Sequence, residues 1–520
     1  MEKVIAIDLG TFFSEVACVN DAGIVEVIPN LDGELKTPSI VSVANVKRVV
    51  GMAAKPDLIM APQYVIKCSK RFMCKVTESG KPIPILTGPE NNEFTAVDTA
   101  AEILAYLKQS TEQYLGTKTS KAVVTVPAYF DPIGRENTKA AARIAGFTNV
   151  RILDEPESAA IYYSLEKNRD EIVAVIDFGG GTLDITVIEM KGGKISVLYT
   201  YGDTELGGVN YDEANLTYVA EEAKKDGIII SAENNLADFY QALDRAREAK
   251  EMLSRRDEVV VIAEAGGKRK PVTIKREIFK KIAQPIDERY KKCCQSVVDQ
   301  LKNSGRKIDR VLLVGGSSRL FHVPEMVREI FGMEPCCDTD PDLGIVKGAA
   351  IWAVKCFGDG SQAILIGGGS HLVKDINMQT VLSHAICVAA LKNLSEIDTN
   401  EYNCCVVPAN TPLPYEFRER FAPVDSRSSS VVVKFVSGQP DQLSTQCPVL
   451  HEVRVPIRPS DKHADRIIVE GKITEEGVVN ITVKDELLDK PINDSFVHAA
   501  GLTKAEIDQK RRQFEQEKGV

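Results

Sequence analysis

A chain of 520 residues, 44% hydrophobic and 27% charged, carries far more apolar material than one core can hold, which excludes a disordered or fibrous protein and predicts about three or four domain-sized units. The formal charge of -10 argues against a general binder of nucleic acid or of acidic membrane surfaces. The opening MEKVIAIDLG lacks the apolar core of a signal peptide, and no run approaches about 18 uninterrupted apolar residues, so neither a leader nor a transmembrane helix is expected.

From the N-terminus, VIAIDLG, EVACV, AVVTVP, IVAVIDFG, DITVIEM, ISVLYT and RVLLVGG read as short β-branched strands. Helical stretches such as TAAEILAYLKQSTEQYL, RENTKAAARIAG and LADFYQALDRAREAKEMLS lie between them, with apolar spacing of three and four. The alternation, which runs to about residue 350, is that of an α/β architecture. Within it, VIAIDLGTFFSEVACV from Val4 and AVIDFGGGTLDITVI from Ala174 are each strand, Asp-x-Gly turn, strand. Their leading acids, Asp8 and Asp177, lie a domain's length apart, so the repeat predicts two similar lobes with a ligand cleft between them. From Gly358, GDGSQAILIGGGSHLVKDINMQ is rich in Gly and Ser and reads as a linker. Beyond it TVLSHAICVAAL, YNCCVVPA, SSVVVKFVSG, HEVRVPI, RIIVEGKI and GVVNITVKD are short strands at near-regular spacing, predicting a β-sandwich of about 120 residues. Thr503, with Glu506 three residues on, forms a capping box that starts one last helix. The twelve cysteines include the adjacent pairs Cys293-Cys294, Cys336-Cys337 and Cys404-Cys405 but no CxxC spacing, so they read as reduced thiols packed as small hydrophobes.

A phosphate needs backbone donors at close range, and glycine turns supply them. Gly10 serves the first hairpin, and Gly179, Gly180 and Gly181 the second. Three carboxylates beside a phosphate, Asp8, Asp177 and Asp184, would repel it unless a hard cation lies between, which implies magnesium held largely through water. GGSSR, from Gly315 to Arg319, follows a strand and precedes a helix as a nucleotide-binding turn does. Any one of these, alone, is better read as a plain turn; the ordered set is not.

The set IDLGT, VVTVPAYF, RIAGFTNVRILDEPESAA, IDFGGGTLD, YGDTELGG, AREAKEMLS and VLLVGGSSR resembles the seventy-kilodalton heat-shock chaperones, the DnaK-type family, densely over residues 1 to about 355 and more loosely from about 376 to 515. The resemblance implies an actin-like (ribonuclease H-like) two-lobed ATPase over 1–356, a linker over 357–379, a peptide-binding β-sandwich over 380–500 and a short helical tail over 501–520 without the family's lid bundle. It implies ATP or ADP with magnesium, and potassium, as cofactors. By motif, Asp8, Asp177 and Asp184 would organise the magnesium shell, and Thr11 and Thr182 would bond the phosphates. Glu155 would position the attacking water, and Lys70, in KCSKRF, would stand near the γ-phosphate. Gly10, Phe12, Phe13, Gly179, Gly180, Gly181, Gly207, Gly208, Gly315, Gly316, Ser317, Arg319 and Asp342 complete the implied nucleotide set, with Arg247, Lys250 and Ser254 as the adenosine clamp. Pro127 and Arg135 match positions that relay nucleotide state between domains, and Arg151 matches a contact for J-domain co-chaperones. The resemblance further implies a cytoplasmic monomer whose partners are extended peptide segments, a J-domain co-chaperone and a nucleotide exchange factor.

The sequence departs from that pattern in four places. Phe12 and Phe13 stand where the family carries hydroxyl side chains; the hairpin is expected to bind phosphate through its backbone regardless. Arg247 and Glu251 replace a ribose-binding Glu and an adenine-stacking Arg, which threatens nucleotide grip more. LVKDINM replaces a leucine-rich run, predicting weakened coupling between the domains. The tail is too short for a helical bundle, so a bound peptide would lack a latch. These departures motivate a second reading, a weakly hydrolysing co-chaperone or exchange-factor-like regulator of another chaperone. A metabolite kinase of the same superfold is a third, against which VPAYF, DEPESAA and the sandwich speak. Residues flanking Ile386 to Ala390 and Cys404 to Val407 are candidates for the peptide slot.

Overall fold

The computed structural model describes residues 3–77, 79–167, 169–336, 343–358, 361–392, 400–461, 464–475, 477–488, 490–496 and 502–518. The first lobe is built on β1 (Val4–Leu9), β2 (Phe13–Val19), β3 (Val25–Ile28), β4 (Lys121–Val126) and β5 (Asn149–Asp154) in the order β5-β4-β1-β2-β3. The second is built on β6 (Glu171–Phe178), β7 (Leu183–Lys191), β8 (Lys194–Asp203), β9 (Arg310–Val314) and β10 (Asn377–Gln379) in the order β9-β6-β7-β8-β10. Each lobe has an antiparallel three-strand meander whose first strand takes a parallel neighbour, β1 with β4 and β6 with β9. The internal repeat is therefore a repeat of sheet topology.

Helices cover the sheets where apolar faces demand it. They are α1 (Ala96–Leu115), α2 (Pro132–Ile144), α3 (Glu155–Lys167), α4 (Gly208–Lys224), α5 (Leu236–Leu253), α6 (Arg276–Asn303) and α7 (Gly344–Phe357). Their starts follow local chemistry: Thr95 and Asp98 close a capping box on α1, and Asp131 caps α2 just before Pro132. One core lies in each lobe, and a third, containing Ala6, Val123, Tyr163, Val175 and Ala350, joins them. In that middle layer α3 crosses α7. A Cβ on Gly348 would stand 1.8 Å from the backbone oxygen of Ser158, so only glycine permits the crossing. The Ser158 hydroxyl donates to the Ile345 carbonyl at the same point.

Within the stretch read as a linker, 357–379, the described residues 361–379 are folded against both lobes. Ala363–Ile366 pairs with Gly369–Leu372 around Gly367 and Gly368, whose φ of 61° and 75° make the tight turn that a Gly-Gly pair favours. Ile364, Val373 and Ile376 are buried in the middle layer, and β10 extends the second sheet alongside β8. The backbone ladder makes this contact without the leucines whose replacement predicted weak coupling.

Beyond it two four-stranded sheets pack face to face. One is ordered Glu401–Val407, Ile386–Leu391, Ser430–Ser437, Val449–Pro456; the other Tyr415–Phe421, Ile467–Ile473, Val479–Asp485, Ile492–Phe496. Ile386, Val388, Val406 and Val407, among the slot candidates, belong to the sandwich core, while Cys404 is exposed. Tyr415–Phe421 escapes a sequence reading because it is an edge strand dressed in charge, with Glu416, Arg418 and Arg420 paired to Lys472, Glu470 and Glu486. The final helix, α8 (Lys504–Lys518), returns to the first lobe. There Ile507 and Phe514 enter its core, and Glu506, Lys510 and Glu517 pair with Lys81, Asp98 and Arg48 at 2.6–2.8 Å. No helix among the described residues is long and apolar enough to cross a membrane.

Because no slack exists at the α3–α7 crossing, Gly348→Ala is expected to destabilise the two-lobed unit by about 2 kcal/mol or more through overpacking. Thermal melts check it, and an unchanged melting temperature would refute the crossing geometry.

Candidate functional site

The two hairpin tips meet at the cleft. In the first, Ser39 holds the turn from below: its N–H donates to the Phe12 carbonyl at 2.8 Å and its hydroxyl to the Gly10 carbonyl at 2.8 Å. In the second, the Gly179 N–H donates to the Thr182 carbonyl at 3.0 Å, while the Gly208 and Val209 N–H groups donate to the Gly179 and Gly180 carbonyls. Gly207 packs on the Gly180–Gly181 backbone, and Ser317 donates to the Gly179 carbonyl at 2.7 Å. Gly315, at φ 81°, passes so close to Asp177 that a Cβ would lie 2.5 Å from its Oδ1. Gly316 is exposed, and a Cβ placed there would meet nothing within 4 Å. Five of the glycines expected around a phosphate, Gly179, Gly180, Gly207, Gly208 and Gly315, thus form one contiguous backbone surface.

The acids converge beside it. Asp8, one residue before the end of β1, accepts from the Thr125 hydroxyl at 2.8 Å, and Asp184 stands directly across the ladder from Asp177. Lys70, on the short turn Ser69–Phe72, reaches the Glu155 carboxylate at the start of α3 at 2.5 Å. All five side chains are buried. Burial, reinforced by the charge of Asp184 and Asp8, pushes Asp177 up to about 8; burial with the charge of Glu155 does the same for Asp184; and burial raises Asp8 against the pull of Lys70. Burial also pushes Glu155 up to about 8, against the pull of Lys70. For Lys70 burial works against the charge, but Glu155, Asp8 and Asp177 outweigh it and hold the ammonium above its ordinary value.

Asp177 Oδ2 and Asp184 Oδ2 are buried with no hydrogen-bond partner. Orphaned carboxylate oxygens crowded by like charge are what a hard dication satisfies, so the donor set fits magnesium. Among the described residues no group of three His, Cys, Asp or Glu side chains is placed to ligate an ion directly. Thr11 and Thr182 are buried at the two tips, where their hydroxyls flank the glycine surface.

The adenosine side departs from expectation. Lys250 is buried and committed, paired with Asp212 at 2.8 Å and donating to the Gly208 carbonyl at 3.1 Å. Arg247 lies between Asp244 at 3.7 Å and Glu251 at 3.8 Å, and its guanidinium stands 5.8 Å from the Phe12 ring centroid. Ser254 ends α5 half-buried, Arg319 is exposed, and Phe13 is 44% exposed. Asp342 lies outside the described residues. Thr125, Ser39 and Asp212 escape sequence reading because each acts through a partner far along the chain. Arg71, too, crosses between the lobes to the Glu205 carbonyl at 3.0 Å.

A second concavity, about 760 Å³, opens between the first lobe and the chain entering the sandwich. Arg135 and Arg151 line it with Asp154, Glu157 and Thr380, while Pro127 is buried nearby. Arg135 pairs with Asp154 at 2.6 Å, and Thr380 donates to Glu157 at 2.6 Å.

The raised carboxyls fix a sign for pH dependence. A group whose folded pKa lies near 8 against an ordinary 3.8 or 4.5 contributes stability below its unfolded value, and that contribution is lost as pH rises through 8. Without divalent cation the melting temperature is expected to fall between about pH 5 and pH 8.5, and Asp177→Asn to flatten the slope. A wild-type melting temperature that rises over that window would refute the buried cluster.

A family model described as Hsp70 protein matches residues 4–519. That span takes in both hairpins, the acid cluster, the sandwich and the final helix, and the chain belongs to the Hsp70 protein family.

Proposed function

We propose that this chaperone of the Hsp70 type binds and hydrolyses ATP in the cleft between its lobes and couples that cycle to extended apolar peptides held by its sandwich. The observation that carries the reading is the Lys70–Glu155 pair at 2.5 Å beside the buried carboxylates of Asp8, Asp177 and Asp184. Phosphoryl transfer to water asks for positioning and charge neutralisation more than for covalent chemistry. Glu155, held at 2.5 Å by the Lys70 ammonium, is placed to orient the attacking water. Lys70 keeps its charge and supplies a cation toward the transferring group. Asp8, Asp177 and Asp184 would hold magnesium, which when bound neutralises phosphate charge. Thr11, Thr182 and the Gly179–Gly181 backbone supply donors to phosphate oxygens, with Gly207, Gly208, Gly315 and Ser317 shaping the wall behind them.

Coupling has a physical path in this reading. β10 is hydrogen-bonded to the second lobe while Glu157, at the foot of α3, accepts from Thr380, so a shift at Glu155 reaches the sandwich through two residues of one helix. The groove containing Arg135 and Arg151 beside that path suits a J-domain partner. Among alternatives, a weakly hydrolysing regulator is favoured by one observation, the Phe12 ring against Gly180 in the cleft.

Single-turnover ATP hydrolysis by the whole chain, with and without a J-domain, tests the proposal. Hydrolysis that rises with the J-domain and drops about a hundredfold in Lys70→Ala is the expected result. Binding of magnesium-ATP without turnover in the wild type would favour the regulator instead.

A further inference from the structure

We infer that Phe12 is a built-in latch: its ring, carried by the first lobe, occupies part of the nucleotide cleft and holds the lobes shut until a ligand displaces it. The inference rests on the cleft being a nucleotide site. A Cβ built on Gly180 would stand 2.1 Å from Phe12 Cδ2 and 2.6 Å from Cε2, so the ring lies directly on the glycine backbone that otherwise faces phosphate. Beside it the tips touch: a Cβ on Gly181 would fall 2.7 Å from the Thr11 hydroxyl. On the second lobe the Arg247 guanidinium faces the same ring at 5.8 Å. The ring therefore bridges the lobes rather than filling a gap within one.

The surroundings are closed in the same sense. The cavity bounded by Thr11, Phe12, Leu58, Leu243 and Arg247 measures about 60 Å³, against the roughly 300–1,000 Å³ of a typical small-molecule site. Above it Tyr240 of α5 packs on Ile40, Ala54, Leu58 and Val65 of the first lobe, with the Lys67 ammonium 4.4 Å from its ring centroid. Phe12 cannot leave by a small adjustment, because Ser39 fixes its carbonyl and that of Gly10. Its backbone stays and its side chain must rotate away, or the lobes must part.

A closed form that must open before binding raises the apparent dissociation constant by the inverse of the open fraction. If the latch holds nine molecules in ten or more closed, removing it tightens binding about tenfold or more, mainly through faster association. The test uses the full chain, as wild type, Phe12→Ala, Phe12→Thr and Arg247→Ala, with two measurements. Amide hydrogen exchange of residues 179–183 and 236–253 without nucleotide reads the latch itself, and magnesium-ADP affinity with stopped-flow association reads its consequence. Faster exchange confined to those segments in Phe12→Ala and Phe12→Thr, a smaller change in Arg247→Ala, and about tenfold tighter magnesium-ADP binding are expected. Unchanged exchange in both Phe12 variants would overturn the latch. Weaker magnesium-ADP binding with unchanged exchange would overturn it too, making Phe12 a ligand contact. Faster exchange with no magnesium-ADP binding by any form would sustain the latch while removing the nucleotide reading of the cleft.

Discussion

Everything at the centre of this protein depends on four carboxylates buried around a single ammonium. Asp8, Glu155, Asp177 and Asp184 come from both lobes, and Lys70 alone among them carries positive charge. Burying like charges without partners is unfavourable, so the arrangement persists only where the surrounding fold over-determines it. Two backbone ladders do so. Asp177 and Asp184 are opposite partners in one antiparallel register, and the Thr125 hydroxyl pins Asp8 from the parallel neighbour of its strand. The middle core and the α3–α7 crossing then press the lobes together with the acids between them.

The same constraint explains where side chains from elsewhere are spent. Arg135 is matched to Asp154 and Lys250 to Asp212, each a cation taken out of water only alongside a carboxylate. In both pairs burial raises the carboxyl, and the cation, which also donates a hydrogen bond to it, lowers it without cancelling the rise. Asp177 and Asp184 have no such dedicated cation, which leaves them as the place where an external charge is worth most.

Much of this was legible in the sequence, for a physical reason. The strand–turn–strand repeat, the acids at the ends of strands and the glycine turns are local patterns, and period and turn chemistry report them directly. What stayed illegible depends on tertiary contact. Gly and Ser between 357 and 379 signalled a linker, yet the glycines make a hairpin turn and Ile364, Val373 and Ile376 find a core that composition does not reveal. Slot candidates such as Ile386 and Val407 are core because both faces of their strands could not be judged without the opposing sheet. In the cleft, the exchanged pair at Arg247 and Glu251 looked more consequential than Phe12. Glu251 instead projects into solvent with its side chain 65% exposed, while Phe12 lies on Gly180.

The tail and the hairpin together suggest how the separate parts are balanced. α8 spends its apolar face, Ile507 and Phe514, on the first lobe, and 363–379 spends Ile364, Val373 and Ile376 on the layer between the lobes. Both therefore leave the sandwich tied to a two-lobed body rather than free beside it, with Thr200 donating to Asn410 at 2.8 Å and Tyr129 lying 4.4 Å from the His384 ring to complete the contact. Burial in that contact pushes His384 down to about 4, so the imidazole is neutral there at physiological pH and adds no charge beside Arg135. Thr380, one residue past β10, donates to Glu157 of α3, and α3 crosses α7 at Gly348, so the chain entering the sandwich is fixed to the same helix that carries Glu155.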